Sequence, residues 1–338
     1  MSANTNEAPK SKAEQLEVDN KVSAASIFKS WEMILVYILV IINIVLMAAK
    51  PDLYFKAGTI QAIIQSGMDV APLVLGMVLI LMLGDIDVSV AANMIFASMC
   101  TGLAMQNGCP AILAVILGLV GSTACGLFNG FLVAYIKMPA VIVTIATSML
   151  FRGIVEIILD VNSLKVFPAF YVSLAWNSIG GVVPISLIVF LLMGCVFFFI
   201  LQKSKFGRTL YIIGNNPVCG MYSGIDVKKE KLFVFGLMGF MCGIASIFYV
   251  GRMGGSVSSS MGTGYEMNAI AICVLGGVST NGGRGKMVGP VIATVIMAFL
   301  TYTLGLMNLD ANIRKIVIGI VLIIAILISN VREKMAAK

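Results

Sequence analysis

Gln202-Lys-Ser-Lys-Phe-Gly-Arg-Thr-Leu-Tyr-Ile-Ile-Gly-Asn-Asn-Pro-Val-Cys-Gly-Met-Tyr-Ser-Gly-Ile-Asp-Val-Lys-Lys-Glu-Lys231 is the one strongly charged stretch inside an otherwise apolar chain. It carries six Lys/Arg against two acids, and hydrophobic spans flank it on both sides. A loop this basic between membrane spans faces the cytoplasm. Glycines, small polar residues and short apolar runs alternate along it, as in a folded docking element. A tether would be more uniformly polar. The stretch predicts a membrane protein driven by something soluble on the inside.

The rest of the chain agrees. Of 338 residues, 59% are hydrophobic and 12% charged, and the mean hydropathy is +1.00. A soluble domain is about 45–50% apolar and about 25% charged, so this composition needs lipid as solvent. The net charge of +7 lies mostly in loops, where it sets orientation and is no nucleic-acid footprint. There is no histidine, which excludes histidine-based metal sites, triads and proton relays. The seven cysteines are scattered, never form Cys-x-x-Cys, and read as small buried hydrophobes rather than a metal or redox site.

A bilayer core of about 30 Å takes roughly 20 apolar residues per helix. The apolar runs give spans at 33–49, 58–83, 88–106, 111–135, 140–159, 183–202, 232–250, 264–278, 288–306 and 313–330. The expected fold is an all-α integral membrane protein of about ten transmembrane helices, some broken or re-entrant. Span 58–83 contains Gln61, Gln65 and Asp69, which suits a break; span 264–278 is short and begins at Glu266, which suits a half-helix. Residues 1–30 read as a cytoplasmic polar tail, 31–330 as the transmembrane domain and 331–338 as a cytoplasmic C-terminal tail. With both termini inside, 16 Lys/Arg fall inside and six outside, as the positive-inside bias requires. The outer segment Asp160–Val182 has room for a short surface helix.

Four places carry polar chemistry. Asp85, Asp87 and Ser89 sit at a helix-to-helix turn, where Asp87, Ser89 and Asn93 can cap the next helix or form a polar knot at an inner gate. Arg152 and Glu156 are spaced i,i+4 and can pair, as a structural bridge or on a solute pathway. Glu266 and Asn268 enter a span, where a carboxylate suits the helix N-terminus and either side chain can meet a polar solute. Ser279–Lys286 looks like a phosphate loop but puts Thr280 where glycine belongs and Met287 where Ser/Thr should hold magnesium, so it reads as a glycine-permitted inner turn. The chain shows no ATP site and no nucleophile-and-base pair: no catalytic residue and no metal ligand is assigned. Gln61, Gln65, Asn93, Asn129, Arg152, Glu156, Glu266 and Asn268 are candidates for the pathway. Neutral amides with Thr144 and Thr147 suit hydroxyls, which points to a small neutral solute. A secondary transporter remains a rival, although the acids cluster near span ends rather than deep in helices.

At these motifs the chain resembles the permease subunits of ABC importers of the branched family serving ribose, other simple sugars and autoinducer-2, over roughly residues 55–330. The family's Gly-Gly-Ile-Asp-Leu-Ser-Val-Gly resembles Gly84–Ala91. Its basic loop resembles Phe206-Gly207-Arg208, Gly214-Asn215-Asn216-Pro217 and Ser223-Gly224-Ile225. Its Gly-x-Gly-Tyr-Glu run resembles Gly262–Gly285, which includes Gly276, Gly277, Gly282 and Gly283. Asp85 departs from the usual glycine or neutral residue, and Ser89-Val-Ala-Ala-Asn93 is similar to rhamnose-type permeases. The resemblance implies a bacterial inner-membrane permease without enzymatic activity, importing a monosaccharide, autoinducer-2, a nucleoside or an amino acid. It implies a second copy or a paralogue, an extracytoplasmic solute-binding protein, and a separate ATPase that uses ATP and Mg and docks on the 203–231 loop. It implies no cofactor in this chain and no nucleic-acid partner.

Overall fold

In a computed structural model the described residues are 31–307, apart from 50, 55, 57, 161, 181 and 182, with only isolated positions beyond 307. The expected tails 1–30 and 331–338 and most of span 313–330 lie outside them. The helices are α1 (Trp31–Ala49), α2 (Pro51–Tyr54), α3 (Thr59–Gln65), α4 (Ala71–Met82), α5 (Val90–Gln106), α6 (Ala111–Ala134) and α7 (Ala140–Leu159). Then come α8 (Ala169–Trp176), α9 (Ile185–Gln202), α10 (Lys205–Asn215), α11 (Pro217–Tyr222), α12 (Val227–Arg252), α13 (Tyr265–Leu275) and α14 (Val288–Leu306). Prolines mark many starts: Pro110, Pro139, Pro168 and Pro184 precede α6 to α9, and Pro72 and Pro217 sit in the first turns of α4 and α11. Proline is harmless there, because the first-turn N–H groups have no intrahelical partner.

Five helices, α6, α7, α9, α12 and α14, are long and apolar enough to cross a bilayer, and α1, α4, α5 and α13 are shorter apolar helices. The chain is therefore an all-α membrane protein; its only described strands are the two-residue pair β1 (Ser178–Ile179) and β2 (Val183–Pro184). Span 58–83 is broken, as expected: α3 and α4 are separated by turns at 66–70. The helix expected in 160–182 is α8: it lies at the surface with Phe170 and Trp176 exposed, and packs its other face inward through Tyr171 and Ala175.

The interior is organised around α12 and α4. Every residue of α4 is buried, which suits its unbroken apolar sequence. Helix α12 passes α6 at backbone contact. A β-carbon at Gly126 would lie 2.3 Å from Phe235 O, and one at Gly239 2.3 Å from Ser122 O. Small residues let membrane helices approach this closely, gaining packing where lipid offers no hydrophobic drive. The outer faces of α6, α7 and α9 expose Ile112, Ile157, Leu192 and Phe199, as helices in contact with lipid should.

Candidate functional site

The charged loop folds into two helices. Ser204 caps α10 by accepting from Gly207 N at 3.0 Å. One face of α10 is buried through Gly207, Leu210 and Ile213, while Arg208 is exposed. Asn216 caps α11 by accepting from Val218 N and Cys219 N at 2.9 and 3.1 Å, and Pro217 follows at the first helical position. The chain leaves α11 through Ser223 and Gly224, the latter at φ +80°, a conformation that strains any residue with a β-carbon. Ile225 N closes the turn on Gly220 O at 3.0 Å. The outer surface of α11 carries Val218, Met221 and Tyr222, the tyrosine 89% exposed. Asp226 then caps α12 through Lys229 N, and that bond holds the Asp226 carboxyl below its usual range.

Helix α10 rests on both inner turns. Gly214 meets the end of α4: a β-carbon there would lie 1.9 Å from Met82 O and 2.4 Å from Gly283 N. Gly283 N itself donates to Met82 O at 3.0 Å. Asn215 Nδ2 donates to Gly283 O at 3.1 Å, and Tyr211 OH donates to Gly285 O at 2.6 Å. Gly84 and Gly282 complete the contact, with a β-carbon at Gly282 falling 2.8 Å from both Gly214 O and Gly84 N. Phe206 packs edge-on against Phe233, ring centres 5.3 Å apart. Asp85 Oδ2 pairs with Lys231 Nζ at 2.6 Å, the side chains 12% and 18% exposed. Burial pushes the Asp85 carboxyl up, against the lowering pull of Lys231. Gly276 abuts Pro290, and Gly277 lies against Trp31, whose Nε1 donates to Leu275 O at 2.9 Å. The glycine motifs of 84, 214 and 276–285, far apart in sequence, thus form one junction.

The other expected residues lie elsewhere. Asp87 turns away from the junction and accepts from Ser89 N and Oγ at 2.8 and 2.6 Å. Asn129 Nδ2 donates to Ser89 Oγ at 2.8 Å, and Asn93 Nδ2 to Ser122 O at 3.0 Å. This buried network ties α5 to α6. Asn93 caps nothing. Gln61 and Gln65 both donate to Trp176 O, at 3.3 and 2.9 Å, and so anchor α3 to the end of α8. The expected Arg152–Glu156 pair does not form among the described residues. Arg152 Nη1 donates to Ser259 O and Met261 O at 2.9 and 3.1 Å, while Glu156 is exposed. Two fixed carbonyls hold a guanidinium better than a mobile neighbour on a helix surface. Glu266 Oε1 accepts from Gly264 N at 3.2 Å, next to the start of α13.

One cluster escaped the sequence reading. At the end of α12 remote from the charged loop, Arg252 Nε pairs with Asp69 Oδ2 at 2.7 Å. Tyr265 OH donates to the same oxygen at 2.7 Å, and Arg252 Nη2 donates to Tyr265 OH at 2.5 Å. Asp69 is 1% exposed. A cavity of about 190 Å³ opens beside this cluster, lined by Ser66, Arg252, Tyr265, Asn268, Thr294 and Thr301 among others. The signal was present: Asp69 interrupts an apolar run, and an intramembrane acid needs a partner. Only the fold could show that its partner is 183 positions away.

A polytopic helical membrane chain with a structured charged loop folded onto the ends of its helices fits a transport protein of the permease class. The comparisons agree. The chain belongs to the family described as branched-chain amino acid transport system / permease component, which matches residues 59–326. It is 31% identical over 301 residues to the D-allose transport system permease protein AlsC of Escherichia coli (strain K12), covering 88% of this chain and 91% of that one. It is 32% identical over 259 residues to the ribose import permease protein RbsC of Bacillus subtilis (strain 168), covering 75% and 79%. It is 29% identical over 270 residues to the autoinducer 2 import system permease protein LsrC of Yersinia enterocolitica, covering 80% and 74%. No solved structure matches the chain. The resemblance to ribose, simple-sugar and autoinducer-2 importer permeases is thereby shown, and the chain is a multi-pass inner-membrane transport component rather than an enzyme.

Proposed function

We propose that this chain forms the translocation pathway of an ATP-driven importer and that its solute is a small neutral molecule, a monosaccharide. The observation that carries the reading is the α10–α11 element. Its outer tip offers Val218, Met221 and Tyr222 to a partner, while its inner face is clamped to the ends of α4 and to the 276–285 turn through Gly214, Asn215 and Tyr211. A soluble ATPase that grips the tip can therefore move the ends of two membrane helices. ATP and Mg belong to that ATPase, and this chain needs no cofactor of its own. An extracytoplasmic binding protein delivers solute on the far side, a second permease copy or a paralogue completes the pathway, and both termini face the cytoplasm. The sugar assignment draws on the printed names of the D-allose and ribose relatives.

The test is reconstitution with the ATPase and binding protein in proteoliposomes. ATP hydrolysis should rise, and uptake should follow, on adding a neutral sugar with the binding protein. Stimulation by an amino acid or nucleoside alone would remove the sugar assignment. Uptake by the isolated chain driven by a proton gradient would remove the ATP-driven mechanism.

A further inference from the structure

Two of the apolar helices are half-length. Helix α4 has 12 residues and α13 has 11, so at 1.5 Å per residue they run about 18 and 16 Å, roughly half of a bilayer core of about 30 Å. They lie side by side, with Cys273 Sγ against Val74 O at 3.5 Å. Their N-terminal ends meet at the cavity of about 190 Å³ beside Arg252. The side chains around it are unequally occupied. Ser66 Oγ and Thr294 Oγ1 spend their protons on Ile63 O and Pro290 O, at 2.7 and 2.8 Å, and keep lone pairs free. The Asn268 amide and the Thr301 hydroxyl have no hydrogen-bond partner among the described residues, and neither does Arg252 Nη1. The cavity therefore offers both donors and acceptors. Its one cation is already matched by Asp69 at 2.7 Å, so it presents no excess charge to hold an anion. Tyr265 is fixed edge-on against Tyr249, ring centres 5.3 Å apart.

We infer that this cavity is a solute station for a neutral, polyhydroxylated ring, held by Asn268, Thr301 and Arg252 Nη1 as donors, by Ser66 and Thr294 as acceptors, and by Tyr265 against the ring's apolar C–H face. The inference rests on the importer reading and moves the solute contact away from Gln61, Gln65, Asn93 and Asn129, whose amide N–H groups already donate to protein carbonyls or a protein hydroxyl. The cavity of about 190 Å³ has room for a single small ring in place of several waters.

The experiment measures uptake of radiolabelled D-ribose, D-allose and L-rhamnose by the complete complex, with its ATPase and binding protein, in proteoliposomes loaded with ATP. Asn268→Leu and Thr301→Val remove hydrogen-bonding groups with little change of volume. Each should lower uptake of the best sugar at least tenfold and change the relative rates among the three at least threefold, because different sugars lose different bonds. An equal fall for all three sugars would mark a structural role and overturn the station, as would rates within twofold of the unaltered complex. If Asn268→Leu fails to assemble, Thr301→Val decides. Failure of the unaltered complex to import any neutral sugar would overturn the importer reading and the ligand class together, and is distinguished by appearing before any substitution is made.

Discussion

Gly214 sits where α10 touches both inner turns, and replacing it by valine should separate ATP hydrolysis from uptake. A β-carbon there would lie 1.9 Å from Met82 O, while real β-carbon contacts essentially never fall under 3.0 Å, so the backbones must part by about 1.1 Å. Both obstacles are backbone atoms, and no side chain can swing aside. Parting weakens the bonds from Asn215 Nδ2 to Gly283 O and from Tyr211 OH to Gly285 O. At a net ~0.5–1.5 kcal/mol per hydrogen bond, the junction loses about 1–3 kcal/mol. The overlap itself should cost whole-protein stability a further ~1–3 kcal/mol, so the ratio is read on protein that has assembled in the membrane. The assay is sugar uptake per ATP hydrolysed in proteoliposomes, with Gly224→Ala as a control that strains the backbone at φ +80° but meets no atom within 4 Å. Gly214→Val should assemble in the membrane, bind the ATPase through the intact α11 tip, and lower uptake per ATP at least tenfold. A wild-type ratio in Gly214→Val would refute the claim that α10 carries force into α4.

Other outcomes follow from the same geometry. Gly126→Val meets Phe235 O, an overpacking that should cost ~1–3 kcal/mol or more and lower the thermal midpoint of the detergent-purified protein; an unchanged midpoint argues against a rigid α6–α12 contact. Lys231→Met strands the part-buried Asp85 carboxylate and should destabilise, whereas adding Asp85→Gly should recover most of the loss; a double-mutant cycle with coupling under about 0.3 kcal/mol would dismiss the pair. Arg152→Ala releases two loop carbonyls and should impair uptake, while Glu156→Gln, at an exposed site, should stay within twofold of wild type. In a background lacking the seven native cysteines, Ser260→Cys should react with an impermeant thiol reagent in intact cells and Tyr222→Cys should not; the reverse pattern inverts the membrane orientation.

Much of this architecture was legible in the sequence because lipid imposes a plain code. Apolar runs of fixed length marked the helices, and Pro110, Pro139, Pro168 and Pro184 marked their starts. The ends of α11 are written locally in Asn216-Pro217 and Ser223-Gly224, since an Asn cap, a first-turn proline and a left-handed glycine act on their own neighbours. The polar residues were harder. Asn93, Asn129, Gln61 and Gln65 look alike in sequence, whether they line a pathway or stitch helices together, because the same amide serves both tasks. Arg152 donates to two carbonyls 107 and 109 residues on, whereas helical spacing points only to the nearby Glu156. The Asp69–Arg252–Tyr265 cluster depends on three segments meeting in space, a fact of packing with no local signature.

The shared footing of α4 and the 276–285 turn on α10 has a genetic consequence. Gly214 meets the end of α4 directly and α13 through the turn that follows it, and the two half-helices begin beside Asp69 and Tyr265. Faults at the two ends should therefore compensate one another. Selection for restored growth on the transported sugar in a Gly214→Ala strain should return second-site changes around 66–70 and 262–268, the length of a half-helix away from the lesion, as readily as changes beside it.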